Sequence, residues 1–189
     1  IARGHEVMSC DLDPTDVPGP HYHGDVFDVI NDGWDMMVAH PPCTYLANSS
    51  AAWLYTGELD VWGEKTKNKE RWHNLEAGAN FFRKLWKSDI PKICCENPIM
   101  LGYAKKIIGA SQAQIIQPWM FGHPEKKATC LWLKNLPKLV ETDNVRVEME
   151  KLPIGQQQKS HWESPSVNRG KIRSLTLQGV ADAMSEQWG

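Results

Sequence analysis

The stretch of sequence that decides the fold is WDMMVAHPPC, residues 34–43. Its unbroken apolar centre predicts a β-strand buried on both faces, as in a parallel sheet that helices cover. The strand must stop at Pro41 and Pro42, because proline lacks the N–H that a sheet ladder needs. Cys43 therefore follows the end of a buried strand and is held at a fixed position by two rigid residues.

A second segment of the same kind is KICCENP, residues 92–98. Its apolar run predicts another buried strand, which ends at the polar residues Glu96 and Asn97. Between the two strands, residues 73–87 carry apolar side chains at helical spacing, and Pro91 follows. This order predicts an α/β fold with a Rossmann-like parallel sheet, whose functional residues lie at the carboxyl ends of the strands.

The rest of the chain follows the same pattern. We predict strands over 6–10, 112–119 and 128–133, a helix over 101–109 and a closing amphipathic helix over 175–188. Residues 44–72 show no sustained period and predict a long loop, and residues 134–172 predict a small irregular insert. We expect these parts to form one domain over 1–189.

Composition limits the classes of function. The chain has 189 residues, 41% of them hydrophobic, and no stretch approaches the roughly 18 apolar residues of a membrane span. Five cysteines without paired spacing favour a reducing, cytoplasmic location. The net charge of -2 gives no global positive field, so any binding of nucleic acid must be local.

Two side chains at the predicted strand ends carry reactive groups. A cysteine displayed just past a buried strand is accessible for nucleophilic chemistry, although most unpaired cysteines are small buried hydrophobes. A glutamate is most often a solvated surface charge. Because parallel strands open onto one edge, Cys43 and Glu96 are expected to share a site, which makes both better candidates than either alone.

The order of motifs resembles the DNA cytosine-5 methyltransferases, and most closely their short, stand-alone, often phage-associated members. The resemblance is carried by GDV from Gly24, WDMMVAHPPC, ENP, FGHPEKKATCLWL and RSLTLQGVADAM. It covers most of the chain and implies a class I methyltransferase fold with helices on both faces of the sheet. It also implies methyl transfer from S-adenosylmethionine to carbon 5 of cytosine in DNA.

The resemblance implies a role for each matching residue. Cys43 matches the nucleophile that adds to ring carbon 6, Glu96 the acid at ring nitrogen 3, and Asn97 the residue that orients base or loop. The implied cofactor-binding residues are Asp11, Asp25 and Pro42. The implied nucleic-acid-binding residues are Lys65, Lys67, Lys127 and Arg173. No metal ligand is implied.

The match departs from the family in three places. The Gly-rich cofactor motif and the first strand of the sheet are absent, and we expect that the sequence is part of a longer protein. Where the family places Gln and two Arg, this chain has Glu125, Lys127 and Thr129. The region available for target recognition is only about forty residues long.

Three alternatives remain open at this point. One is a catalytically inactive relative that binds nucleic acid or a nucleotide. Another is modification of a nucleotide or a different polymer by the same cysteine chemistry. A zinc site made of His21, His23 and the pair Cys94 and Cys95 is the weakest, since these spacings suit no familiar site.

Overall fold

A mixed four-stranded sheet with helices forms the centre of the molecule. The structure is a computed structural model, and it describes residues 4–162, 164–166 and 169–189. The strands are β1 (Ser9–Asp11), β2 (His21–His23), β3 (Met36–Ala39), β4 (Tyr55–Leu59), β5 (Lys65–Lys67), β6 (Lys92–Pro98), β7 (Gln114–Ile116) and β8 (Thr129–Lys134). The helices are α1 (Lys69–Trp86), α2 (Gly102–Ile108), α3 (Arg146–Glu150), α4 (Ile154–Gln157), α5 (Lys159–Trp162), α6 (Arg169–Ser174) and α7 (Gln178–Trp188).

The strands of the central sheet lie in the order β3-β6-β8-β7. β3 and β6 are parallel, and β8 runs antiparallel to both of its neighbours. Three of the four strands therefore run in one direction and share a carboxyl edge. β1 and β2 form a separate parallel pair, and β4 and β5 form an antiparallel hairpin.

Side chains along β6 alternate between two hydrophobic cores. Ile93 and Cys95 belong to the core that α1 and α2 cover, whereas Cys94 belongs to the core that α7 covers. This is the period of two that a strand imposes. Helices therefore pack on both faces of the sheet, as the sequence predicts for an α/β fold.

Helix α1 connects the two strands that carry the candidate residues. Asn68 caps it, since the side-chain oxygen accepts the N–H of Arg71. Its buried residue Phe82 meets the buried Trp132 of β8 edge to face, with ring centroids 5.1 Å apart. Aromatic pairs of this kind contribute about 0.5–1.5 kcal/mol beyond the area they bury.

The predicted burial of β3 on both faces is wrong. Its residues are half-buried, and Val38 is 38% exposed. Among the described residues β3 pairs only with β6, so it is an edge strand of the sheet. An apolar run of four residues indicates a strand, but it does not show whether both faces and both edges are covered.

The expected long loop over 44–72 is also wrong. The structure has a 3₁₀ helix at Asn48–Leu54, the hairpin β4-β5 and the first turn of α1. Asp60 organises the hairpin turn, where its Oδ1 accepts the N–H groups of Trp62 and Glu64. These are local side-chain signals, which a search for hydrophobic period does not detect.

Two further expectations need correction. The first strand is three residues long and begins at Ser9 instead of residue 6. The region 134–172 contains the short helices α3, α4 and α5 and the start of α6, where we expected an irregular insert. In the described part of the chain, no helix combines the length and apolar composition needed to cross a bilayer.

We predict that Gly179→Ala destabilises the protein. A Cβ at this position would lie 2.0 Å from the carbonyl oxygen of Phe121, so the start of α7 would have to move away from the chain it packs against. We expect a loss of about 1–3 kcal/mol in the free energy of unfolding, measured by urea denaturation. Gly155→Ala is the matched control, because a Cβ there meets nothing within 4 Å. Equal stability of the two variants would show that the close approach of Gly179 to Phe121 does not limit the side chain at this position.

Candidate active site at the ends of two parallel strands

The parallel register of β3 and β6 brings the two candidate segments together. Ala39 lies opposite Cys95, the last pair of this ladder. The next residue after Ala39 is His40, which leaves the sheet, whereas the next residue after Cys95 is Glu96, which stays in β6 and pairs with Leu131 of β8. The two motifs that predicted the site therefore lie next to each other at the end of the β3-β6 ladder.

Two side-chain contacts join the segments beyond the ladder. Asn97 is 2% exposed, and its Nδ2 donates to the carbonyl oxygen of Pro41 at 2.9 Å. Nδ1 of His40 lies 3.2 Å from Oε2 of Glu96. The Pro-Pro-Cys segment is thus tied to the Glu-Asn-Pro segment through its first proline and through the histidine before it.

Cys43 lies at the start of an ordered turn and is exposed. Its carbonyl oxygen accepts the N–H groups of Leu46 and Ala47 at 3.0 and 2.9 Å. The chain after it is anchored to the chain after β6, since Ala47 forms a β-bridge with Met100. Both strand ends therefore continue into one hydrogen-bonded unit that holds the thiol at the surface.

Other cysteines are much less suited to nucleophilic chemistry. Burial raises the pKa of Cys95 to about 12, and burial also raises the pKa of the Cys94 thiol far above its usual value. Cys130 is buried in the same sheet, and burial raises its pKa as well. A thiol that stays protonated at neutral pH is neither a nucleophile nor a metal ligand.

Glu96 faces the α7 side of the sheet. Thr176 Oγ1 donates to its Oε2 at 3.5 Å. The two residues line a cavity of about 20 Å³ together with Lys127 and Thr129. This volume has room for about one water molecule, so the cavity is too small to hold a pyrimidine ring.

The residues that replace the family's Gln and Arg have structural contacts of their own. Glu125 is buried and accepts the N–H of Ser160. Lys127 donates its Nζ to the carbonyl oxygen of Leu175 at 3.1 Å. Lys127 also lines the cavity beside Glu96, and its predicted role in binding nucleic acid stays a prediction.

The two acidic cofactor candidates lie at the carboxyl ends of β1 and β2. Asp11 and Asp25 are both exposed, and each uses Oδ1 to accept a nearby backbone N–H, from Asp13 and Phe27 respectively. Among the described residues, Oδ2 of each has no hydrogen bond. Pro42, the third candidate, is exposed beside Cys43.

The remaining nucleic-acid candidates are at the surface. Lys65 and Lys67 are the ends of β5, and both are exposed. Lys67 Nζ lies 4.7 Å from the centroid of the Trp72 ring. Arg173 is exposed on α6, remote in sequence from the other two.

In the described part of the chain, no three His, Cys, Asp or Glu side chains form a group that could hold a metal ion. His21 and His23 contact the loop that joins β1 to β2, since their Nε2 atoms lie 3.2 and 2.9 Å from the carbonyl oxygens of Asp13 and Leu12. The cysteine pair proposed with them is buried in β6.

Sequence reasoning missed two groups at this edge. One is His40, whose Nδ1 lies 3.2 Å from Oε2 of Glu96. The other is Arg71, in the first turn of α1, whose guanidinium carbon lies 4.6 Å from the ring centroid of Tyr45, two residues after Cys43. The signal for the second group was Asn68, a typical helix N-cap, which sets the true start of α1.

Comparison of the chain with protein-family models, with curated proteins and with solved structures found no significant match.

We predict that Cys43 is the thiol most readily alkylated in the folded protein. Iodoacetamide at pH 8 should label Cys43 before it labels Cys10, Cys94, Cys95 or Cys130, because only the thiolate reacts and burial raises the pKa of these four thiols. Peptide mass spectrometry over time gives the order, and Cys43→Ser identifies the first site. Labelling of a buried thiol at the same rate would overturn the prediction.

The bond between the strand ends predicts a cost for Asn97→Ala. The variant removes the Nδ2 donor, so the carbonyl oxygen of Pro41 loses its hydrogen bond. We expect the free energy of unfolding to fall by about 1–3 kcal/mol. Asn31→Ala, at an exposed position, should change it by less than about 0.5 kcal/mol. Urea denaturation separates the two, and equal values would show that the bond to Pro41 does not matter.

Proposed function

We propose that this protein transfers a methyl group from S-adenosylmethionine to carbon 5 of cytosine in DNA, on a Rossmann-like methyltransferase fold. The observation that carries the proposal is that side-chain contacts join the segment after β3 to the end of β6. An exposed thiol and a carboxylate come from neighbouring parallel strands, and Asn97 and His40 tie their segments together. The mixed sheet with helices on both faces is compatible with such a fold.

The arrangement supports a specific role for each side chain. The Cys43 sulfur forms a bond to ring carbon 6, and the π electrons of the 5,6 double bond move toward carbon 5. Glu96 gives a proton to ring nitrogen 3, which neutralises the charge that the addition pushes into the ring. After carbon 5 has taken the methyl group, it loses its proton to solvent water, the double bond re-forms, the carbon–sulfur bond breaks with its electrons returning to sulfur, and nitrogen 3 returns its proton to Glu96.

Other residues hold this pair in place. Asn97 fixes the Pro-Pro-Cys segment through Pro41, so the thiol position depends on β6 as well as on β3. His40 contacts the same carboxylate oxygen of Glu96 that Thr176 contacts, and it limits the orientations that the carboxylate can adopt. Both are positioning residues in this mechanism.

The chain also offers groups that suit the methyl donor. S-adenosylmethionine would supply an electrophilic methyl group. Asp11 and Asp25, at adjacent parallel strand ends, each keep one carboxylate oxygen free of hydrogen bonds to the described residues. Carboxylates at strand ends suit the hydroxyl and amino groups of such a ligand.

A second candidate is a nucleic-acid-binding protein that transfers nothing. The observation in its favour is the cavity beside Glu96, where about 20 Å³ leaves no room for a base. A catalytic protein would need this region to open, or the base to approach Glu96 from the side of Cys43.

The test is covalent trapping. With S-adenosylmethionine present, DNA that contains 5-fluorocytosine should form a denaturation-resistant adduct with the protein, because fluorine cannot leave as a proton does. Cys43→Ser should abolish the adduct, and Glu96→Gln should slow its formation about 10²–10⁴-fold. Glu76→Gln, an equal change of charge at an exposed position of α1, should leave the rate within twofold. An adduct that persists in Cys43→Ser would refute the mechanism, and the absence of any adduct would favour the second candidate.

A further inference from the structure

Cations and aromatic rings cluster at the start of α1. The Arg71 guanidinium carbon lies 4.6 Å from the ring centroid of Tyr45, two residues after Cys43. Lys67 lies over the Trp72 ring, and Trp72 meets Tyr103 edge to face with centroids 4.7 Å apart. We call these five residues the aromatic–cation cluster.

The cluster lies at the same edge of the sheet as Cys43. β3 reaches the carboxyl edge at Ala39, and α1 returns the chain to the amino edge, where Lys92 N–H bonds to the Asp35 carbonyl. The first turn of α1 is therefore at the carboxyl edge. The stacking of Arg71 on Tyr45 brings it next to the turn that displays the thiol.

No carboxylate among the described residues neutralises the positive charges of the cluster. Neither Lys67 nor Arg71 has a carboxylate within ion-pairing distance among the described residues. The Nε atom of Arg71 is buried and has no hydrogen-bond partner there. A buried donor without an acceptor costs about 1–3 kcal/mol, so a movement of the guanidinium that brings Nε to a ligand oxygen would be favourable.

The dipole of α1 disfavours positive charge at the end of the helix where these cations lie. Lys69 and Arg71 occupy the first turn of an 18-residue helix, where positive charge is unfavourable, and Glu70 offsets only one of them. At the other end of α1, Arg83 and Lys84 occupy the turn where cations are favourable. The cations at the far end are explained by the helix itself, whereas those near Cys43 are not.

Aromatic surface completes the site. Tyr103 is 44% exposed, and the guanidinium of Arg71 is itself a flat surface. Unpaired bases stack on aromatic rings and on guanidinium planes, and phosphates bind to arginine through its N–H groups. Bases inside a duplex do not present their faces in this way.

We propose that the aromatic–cation cluster binds single-stranded DNA beside the thiol, with Arg71 and Lys67 on phosphates and a flanking base stacked on Tyr103. This inference rests on the proposed function only in taking DNA as the polymer. It specifies that the site binds single-stranded DNA. It also assigns binding to residues other than Cys43 and Glu96, which react.

The test is fluorescence anisotropy with a labelled twelve-nucleotide oligo(dC). Arg71→Gln and Tyr103→Leu should each weaken binding about tenfold, whereas Tyr103→Phe should keep it within twofold because the ring remains. Arg83→Gln, the same change of charge on the same helix about 18 Å away, is the matched control and should also stay within twofold. A duplex of the same length and deoxycytidine monophosphate should each bind at least tenfold more weakly than the single strand.

Each other result overturns the proposal. If Arg71→Gln and Tyr103→Leu both bind within twofold of the unchanged chain, the aromatic–cation cluster is not the binding site. If a duplex binds as tightly as the single strand, the proposed preference for single-stranded DNA is wrong. Circular dichroism melting identifies a variant that fails to fold, and the remaining variant then decides. Cys43→Ser should bind normally without forming an adduct. Binding by the unchanged chain without adduct formation would refute the proposed function alone. Adduct formation with normal binding by Arg71→Gln would refute this inference alone.

Discussion

The hydrogen bond from Asn97 to the carbonyl oxygen of Pro41 is the constraint on which the site depends. The β3-β6 ladder ends at Ala39 and Cys95, so its backbone pairing does not reach the two prolines that follow. Because Pro41 cannot donate a hydrogen bond, its carbonyl oxygen is the group through which the sheet can hold it. A buried amide near the end of β6 provides that contact, so the position of the thiol is set by a neighbouring strand as well as by its own.

The period of two along β6 explains why adjacent residues have different tasks. Odd positions from Ile93 point to the core under α1 and α2, and there Asn97 is buried and holds Pro41. Even positions from Cys94 point to the α7 side, where Glu96 lines the small cavity and meets Thr176. A shift of one residue in register would bury the carboxylate and expose the amide. The buried cysteines on both sides of the strand therefore fix the orientation of the candidate acid.

The α/β class and the buried strand β6 were predictable, because seven residues with an apolar core specify a strand almost by themselves. The closing helix was predictable as well, since Val180, Ala183, Met184 and Trp188 are all buried as their spacing indicates. The hairpin after Cys43 was not, because its turn depends on one aspartate and a glycine with positive φ and not on a hydrophobic period. Contacts such as that of Lys127 with Leu175 join residues 48 positions apart, and no local pattern encodes them.

Five buried side-chain polar atoms have no hydrogen-bond partner among the described residues, and two of them lie at the site. Among the described residues, Oδ1 of Asn97 and Nε of Arg71 are both buried without a hydrogen bond, and both belong to the carboxyl edge that carries Cys43. Such atoms lower the stability of a folded chain, and native proteins keep few of them. Their position favours a site that is completed by a ligand, since an anionic oxygen would satisfy Arg71 and a bound donor or water would satisfy Asn97. The protein would then gain stability on binding, by an amount that grows with the logarithm of the ligand concentration relative to its dissociation constant.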